Sequence, residues 1–288
     1  MTEKNDLYKD IVIIYHDRCR DGFGAAYSAW KRFGDKASYV PRRNQDPVPP
    51  GLIDKEIYIL DYSYPLNILD ELERKNRKVL VIDHHHSASE LKKTNKHIFD
   101  TNHSGAVLAW KYFHPDKTVP RLLLYVEDHD LWKFELPHTH SFGAALGQYE
   151  PNFIVWDQLV TSLEQRLHFN KFITHGEIIY QFEQNLIEDI LSFREPVLFE
   201  GHEVCALNAS RVYRSILGNR LAEMSENEGK APMGIVYYRY SGAVNCSLRS
   251  RGDFDVCEIA IKHGGGGHKR SASFSVSDFS NLPFTFIA

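Results

Sequence analysis

The chain has 288 residues, enough for two domains of ordinary size, each with its own core. Hydrophobic residues make up 43% and charged residues 25%, which excludes an extended disordered protein; the net charge of −4 excludes a general electrostatic trap for long nucleic acid, so an anionic substrate needs a local cationic or metal site. Four scattered cysteines, Cys19, Cys205, Cys246 and Cys257, with no CxxC pair, exclude a disulfide scaffold and suit reduced thiols in a cytoplasm.

The N-terminus lacks an apolar leader core and no stretch approaches the ~18 apolar residues of a membrane helix, so neither secretion nor membrane insertion is expected. The β-branched run Ile11 to Tyr15 predicts a buried strand, followed by Gly22-Phe23-Gly24 and a helical period through Phe33. The unit recurs. Ile57 to Leu60 ends in Asp61 before a helix signalled by Pro65, and Val79 to Ile82 ends in Asp83 before His84-His85-His86. Short buried strands alternating with helices predict a parallel sheet with right-handed crossovers.

Ser104-Gly105-Ala106 opens a predicted helix through Phe113; Ser104 is either an ordinary N-cap or part of an anion-binding helix start. Arg121 to Val126 predicts a helix running into Glu127-Asp128-His129-Asp130. From about Asn152 to Phe193 the pattern is helical, until Arg194-Glu195-Pro196, where proline disfavours more helix. Strands at Val204 to Leu207, Gly234 to Tyr240 and Ala243 to Leu248 then alternate with helices at Tyr213 to Met224 and Val256 to Lys262. The expected architecture is α/β: a parallel-sheet domain over 1–150, a helical connection over 151–195 and a smaller mixed α/β domain over 196–288.

Ligands of such sheets sit beyond the carboxyl ends of the strands. His16, Asp21, Asp61 and the Asp83-His84-His85 run fall there, and Asp128 follows an apolar helical segment. One aspartate at a strand end is more often a cap or turn residue. Several at successive strand ends point instead to divalent metal, because a hard cation needs oxygen and imidazole donors from separate segments, and a pair of ions can clamp a phosphoryl group and activate water. Near the C-terminus, Gly264-Gly265-Gly266-Gly267-His268 reads as a phosphate-binding loop whose amides approach an anion unobstructed, or as a flexible linker; Arg249 ends a strand and could fork onto a phosphate or be merely solvated.

Asp83-His84-His85 and Gly265-Gly266-Gly267-His268, in this order and separation, resemble the defining motifs of the DHH phosphoesterases that carry a C-terminal DHHA1 domain, the group of RecJ-like exonucleases, nanoRNases and small-nucleotide phosphodiesterases. The resemblance covers nearly the whole chain. It implies metal ligands at His16, Asp21, Asp61, His84 and Asp128, with Asp61 bridging two ions. It further implies His85 against the scissile phosphate, Asp83 supporting the imidazoles, and Arg249, His268 and the glycine amides on the substrate. Where many relatives have Asp-x-Asp-Gly, this chain has Cys19-Arg20-Asp21-Gly22. Cys19 is then either a thiolate ligand favouring zinc or iron, or the mark of a weak site; manganese is the expected ion, with magnesium next.

The expected activity is metal-dependent hydrolysis of short oligoribonucleotides, linear dinucleotides or cyclic nucleotides to mononucleotides. The acidic chain has no basic stripe for long strands or duplexes, and a homodimer is left open. The alternatives are a single-strand exonuclease, a pyrophosphatase or polyphosphatase, and a nucleotide sensor without turnover.

Overall fold

Three short aliphatic runs form the centre of a parallel sheet because each alternates its side chains between two helical layers. In strands β1 (Ile11–His16), β3 (Glu56–Leu60) and β4 (Lys78–Asp83), Ile13, Leu60 and Ile82 join Ala25, Ala29, Leu108 and Ala109 on one face, and Ile14, Ile59 and Val81 join Leu69 and Leu72 on the other. The first layer is α1 (Arg20–Phe33) with α3 (Gly105–Phe113); the second includes α2 (Leu66–Lys75). Edge strands β2 (Ala37–Arg42) and β5 (Ile98–Phe99), which the sequence did not predict, complete the all-parallel order β2-β1-β3-β4-β5.

In that order the chain builds outward from β1 to β2 and then crosses to the other side at β3. The switch opens a crevice beyond the carboxyl ends of β1 and β3. His16 closes β1 and Asp61 follows β3, so the topology itself brings them together.

This computed structural model describes residues 7–43, 46–85, 88, 90, 91 and 97–287, and it divides into two compact units, Met1–Tyr180 and Gln181–Ala288. The first unit continues through α4 (Arg121–Asp130), α5 (Thr139–Leu146) and α6 (Phe153–Leu163) to the first turns of α7 (Arg166–Leu191). Leu122, Leu123, Phe142, Trp156 and Phe172 pack these helices into one core. No helix among the described residues is long and apolar enough to cross a membrane.

The second unit is a seven-stranded sheet of order β10-β11-β9-β8-β7-β6-β12. Its strands are β6 (Glu195–Phe199), β7 (His202–Asn208), β8 (Met233–Tyr240), β9 (Ala243–Ser250), β10 (Gly266–His268), β11 (Ser271–Val276) and β12 (Thr285–Phe286), with only β7 and β8 paired in parallel. Helix α8 (Arg214–Asn227) covers one face through Leu217 and Leu221, with Ile187 and Leu191 from the end of α7; α9 (Val256–Lys262) packs through Ile259 into the other core. Pro196, read as the end of helical structure, stands near the start of β6; it has no amide to donate, and its carbonyl accepts from Ile287 N at 3.1 Å.

Candidate metal centre

Six side chains converge where the sheet switches direction. His16 Nδ1 stands 3.4 Å from Asp61 Oδ2, and His84 Nε2 stands 3.1 Å from Asp61 Oδ1, so the two carboxylate oxygens face different imidazoles. His84 Nε2 is also 3.5 Å from both Asp21 Oδ2 and Asp130 Oδ2. These atoms form two donor groups, His16–Asp61–His85 and Asp21–His84–Asp130, each spanning no more than 4.8 Å. Asp61 adopts a left-handed backbone (φ 53°), a conformation that costs a non-glycine residue energy and that aspartate tolerates better than most.

Each donor is held in place. Asp21, on the first turn of α1, accepts from the amides of Gly105 (2.6 Å) and Ala106 (2.9 Å) at the start of α3. That contact explains Gly105: a Cβ there would lie 2.6 Å from Asp61 Cβ and 2.9 Å from Asp21 Oδ2. Asp83 Oδ1 accepts from the amides of His84 and His85 and from His85 Nδ1 at 2.8 Å, which fixes the His85 ring.

The electrostatics follow from crowding carboxylates out of water. Burial, then the charges of Asp61 and Asp130, drive the Asp21 carboxyl well above its ordinary range. Burial and Asp61 raise Asp130 too. Burial alone would raise Asp61, but the imidazoles of His16, His84 and His85 outweigh it and hold that carboxyl down to about 2. His85, bound to Asp83, is raised to about 9.

Two buried atoms, His16 Nδ1 and Asp61 Oδ2, face each other without a hydrogen bond. Buried polar groups are rarely left so. Carboxylate and imidazole donors around them fit a hard or borderline divalent cation. A cavity of about 370 Å³, lined in part by Asp61, Tyr62, Tyr64, Asp83 and His85, opens beside them.

The structure brings Asp130, and not the expected Asp128, into the donor group at His84. The Asp128 carboxylate is consumed within the fold, accepting from Glu135 N (2.9 Å), Leu136 N (3.2 Å) and the Thr139 hydroxyl. Leu123 and Val126 of α4 are buried in the helical core of the first unit, and Asp130, at the end of the same helix, stands 3.5 Å from His84. Cys19, the N-cap position of α1, belongs to neither donor group; burial and the charge of Asp61 push its thiol up to about 12. Ser104 is an N-cap, fully buried, accepting from Val107 N, with no surface for substrate. His86 lies outside the described residues.

In the second unit the glycine run is not a free loop. Gly266–His268 is strand β10, antiparallel to β11, and a Cβ on Gly267 (φ 149°) would lie 2.5 Å from Ala272 Cα. Gly265 closes α9 through a 2.9 Å bond to Ala260 O, while Gly266 faces open space and His268 is exposed. Arg249 donates from Nη1 to Ser247 Oγ (3.1 Å) and Leu248 O (2.9 Å), and from Nη2 to Ser215 Oγ (2.9 Å).

No family model matches the chain. It is 30% identical to an uncharacterized protein of Acanthamoeba polyphaga mimivirus, over 98% of this chain and 72% of that one. It is 26% identical to oligoribonuclease NrnB of Bacillus subtilis, over 73% of this chain, spanning 56% of that protein's length. Among solved structures, the pGpG-specific phosphodiesterase PggH of Vibrio cholerae matches with TM-score 0.57 and 14% identity, covering 93% of this chain and 94% of that one. The DHH domain of a member of a ribosomal-protein family matches with TM-score 0.55 and 13% identity, over 97% and 83% of the two chains. With the Asp83-His84-His85 motif on the switch crevice of a parallel sheet and a mixed second sheet carrying the glycine motif, the chain belongs to the DHH/DHHA1 phosphoesterase family.

Proposed function

We propose that this phosphoesterase cleaves phosphodiester bonds in short oligoribonucleotides, linear dinucleotides or cyclic nucleotides and releases mononucleotides. The observation that carries the reading is a pair of donor groups meeting at Asp61 beside an open cavity, a geometry for two cations and one phosphoryl group. The 26% identity to an oligoribonuclease supports the short-RNA class.

His16 and Asp61 would hold one ion, and Asp21, His84 and Asp130 the other, with Asp61 shared between them; manganese suits this donor set first, then magnesium, zinc or iron. When bound, the ions supply charge stabilisation for the phosphoryl oxygens and an activated water. The chain does the rest. Asp83 holds the His85 ring through Nδ1 and raises its affinity for a proton, which leaves Nε2 to donate to a phosphoryl oxygen as negative charge develops. Asp21 is oriented by two amides before any ion arrives, so its ligand geometry costs little reorganisation. In the second unit, exposed His268 and the open side of Gly266 would be the groups left to recognise a phosphate or base.

The test is hydrolysis of a dinucleotide, a five-nucleotide RNA, a cyclic nucleotide and pyrophosphate with manganese, using His84→Ala as control. Cleavage of the dinucleotide or RNA by the wild type alone upholds the reading. Cleavage of pyrophosphate alone replaces it with a pyrophosphatase, and nucleotide binding without turnover in any divalent metal replaces it with a sensor.

A further inference from the structure

Asp130 ends α4, and with only Leu131 between them comes Trp132, whose side chain is 68% exposed. An exposed tryptophan alone means little. Its backbone sets it apart: Trp132 (φ 57°) and Phe134 (φ 51°) both sit in the left-handed region, which large side chains avoid. The turn is imposed on them from one residue. Asp128 O accepts from Lys133 N (3.0 Å) and Phe134 N (3.4 Å), while the Asp128 carboxylate accepts from Glu135 N and Leu136 N. Strain held so firmly is a feature of functional segments.

Behind Trp132 the rings form a continuous ladder. Phe134 meets Trp132 edge-on at 4.9 Å and 71°, stacks on His140 at 4.3 Å, and His140 stacks on Tyr180 at 5.2 Å. His129 approaches Trp132 at 6.2 Å and Phe134 at 5.8 Å, and also lines a cavity of about 360 Å³ together with Arg20, Asp21 and Asp130. An aromatic surface thus begins where the metal donors end, with the cationic side chains of Arg20 and Lys133 nearby in the chain and the cavity.

We infer that Trp132 is a stacking platform for the nucleobase of the nucleotide adjoining the scissile phosphate. The inference rests on the phosphodiesterase reading and names the part of the substrate that reading leaves open. A base presents a π-face whatever its identity, so the platform binds without choosing sequence. The T-shaped contact with Phe134 braces the indole, and its exposure leaves surface on which a base can stack. Inorganic pyrophosphate or polyphosphate has nothing to place there.

The test compares wild type, Trp132→Ala and Trp132→Phe on a linear dinucleotide and on its analogue lacking both bases, measuring manganese-dependent kinetics and equilibrium binding. Trp132→Ala is expected to raise KM for the dinucleotide about tenfold, the size of one lost stack. The loss should be at least about fivefold larger than on the abasic analogue, with Phe restoring most of it. An unchanged KM, equal losses on both compounds, or equal wild-type binding of both overturns the platform. If the wild type cuts pyrophosphate and no dinucleotide, the phosphodiesterase reading falls separately. The platform then stands only if base-bearing compound binds more tightly than abasic and Trp132→Ala removes the difference; any other binding result overturns it.

Discussion

At the switch crevice of the first unit, buried polar groups face one another unfinished: His16 Nδ1 and Asp61 Oδ2 make no hydrogen bond, and the Asp21 and Asp130 carboxyls are both driven up by burial and by the charge of Asp61. In the second unit, the residues that looked equally chemical are largely completed by their own surroundings. Arg249 spends three hydrogen bonds on Ser215, Ser247 and Leu248, and Gly267 is pressed against Ala272 in a β-ladder. An unusual residue thus points most strongly to a ligand when the fold leaves its bonding capacity open.

The largest break in this contrast should come at Asp61, which belongs to one donor group and stands 3.1 Å from His84 of the other. Asp61→Asn is expected to lower manganese affinity and hydrolysis each by more than the ~10–100-fold typical of outer supporting residues, read by calorimetric titration and initial rates.

Neighbouring carboxylates on one helix should then separate in sign. Asp128→Asn removes a charged acceptor from two amides and a hydroxyl and should cost about 2–3 kcal/mol in denaturant unfolding with or without metal. Asp130→Asn relieves repulsion with Asp61, so the metal-free protein should become more stable while manganese affinity drops. Equal destabilisation by both would sink the assignment of Asp130 to the metal centre.

Glycine substitutions give a smaller contrast. Gly105→Ala places a methyl 2.6 Å from Asp61 Cβ and should cost about 1–3 kcal/mol, whereas Gly266→Ala meets nothing within 4 Å and should stay within about 1 kcal/mol of wild type. Thermal midpoints of the two variants check this.

The smallest effect is the pH dependence of the metal-free protein. Asp21 and Asp130 bind protons more tightly folded than unfolded, so mild acidification from neutral should raise the melting temperature. Asp61, held down to about 2, contributes stability present above its unfolded value and lost as pH falls from about 4 toward 2. His85, raised to about 9, contributes stability that is full below about 6.5 and lost as pH rises through 9. Midpoints from pH 3 to 10 should therefore peak in mild acid. With manganese the acid-side gain should reverse, because protons compete for the same oxygens.

The residues His16, Asp61, Asp83 and His84 were legible in the sequence because each stands at or just past the end of a short apolar run, with Asp21 on the first turn of the helix that follows β1, and a parallel sheet collects its strand ends at one edge. Strand β10 was not legible, since four glycines carry no alternation of side chains; its pairing comes from β11 across the turn. Nor was the choice between Asp128 and Asp130, two residues apart on α4. The parallel sheet and the helical stretch before the second sheet can be read from the residues alone, because burial of apolar side chains imposes a local period, and the donors fall at the ends of those periods. Which carboxylate stays open for a ligand depends on the packed chain, because the returning segment 135–139 supplies the amides and hydroxyl that occupy Asp128, and those donors lie beyond the helix whose pattern predicts it.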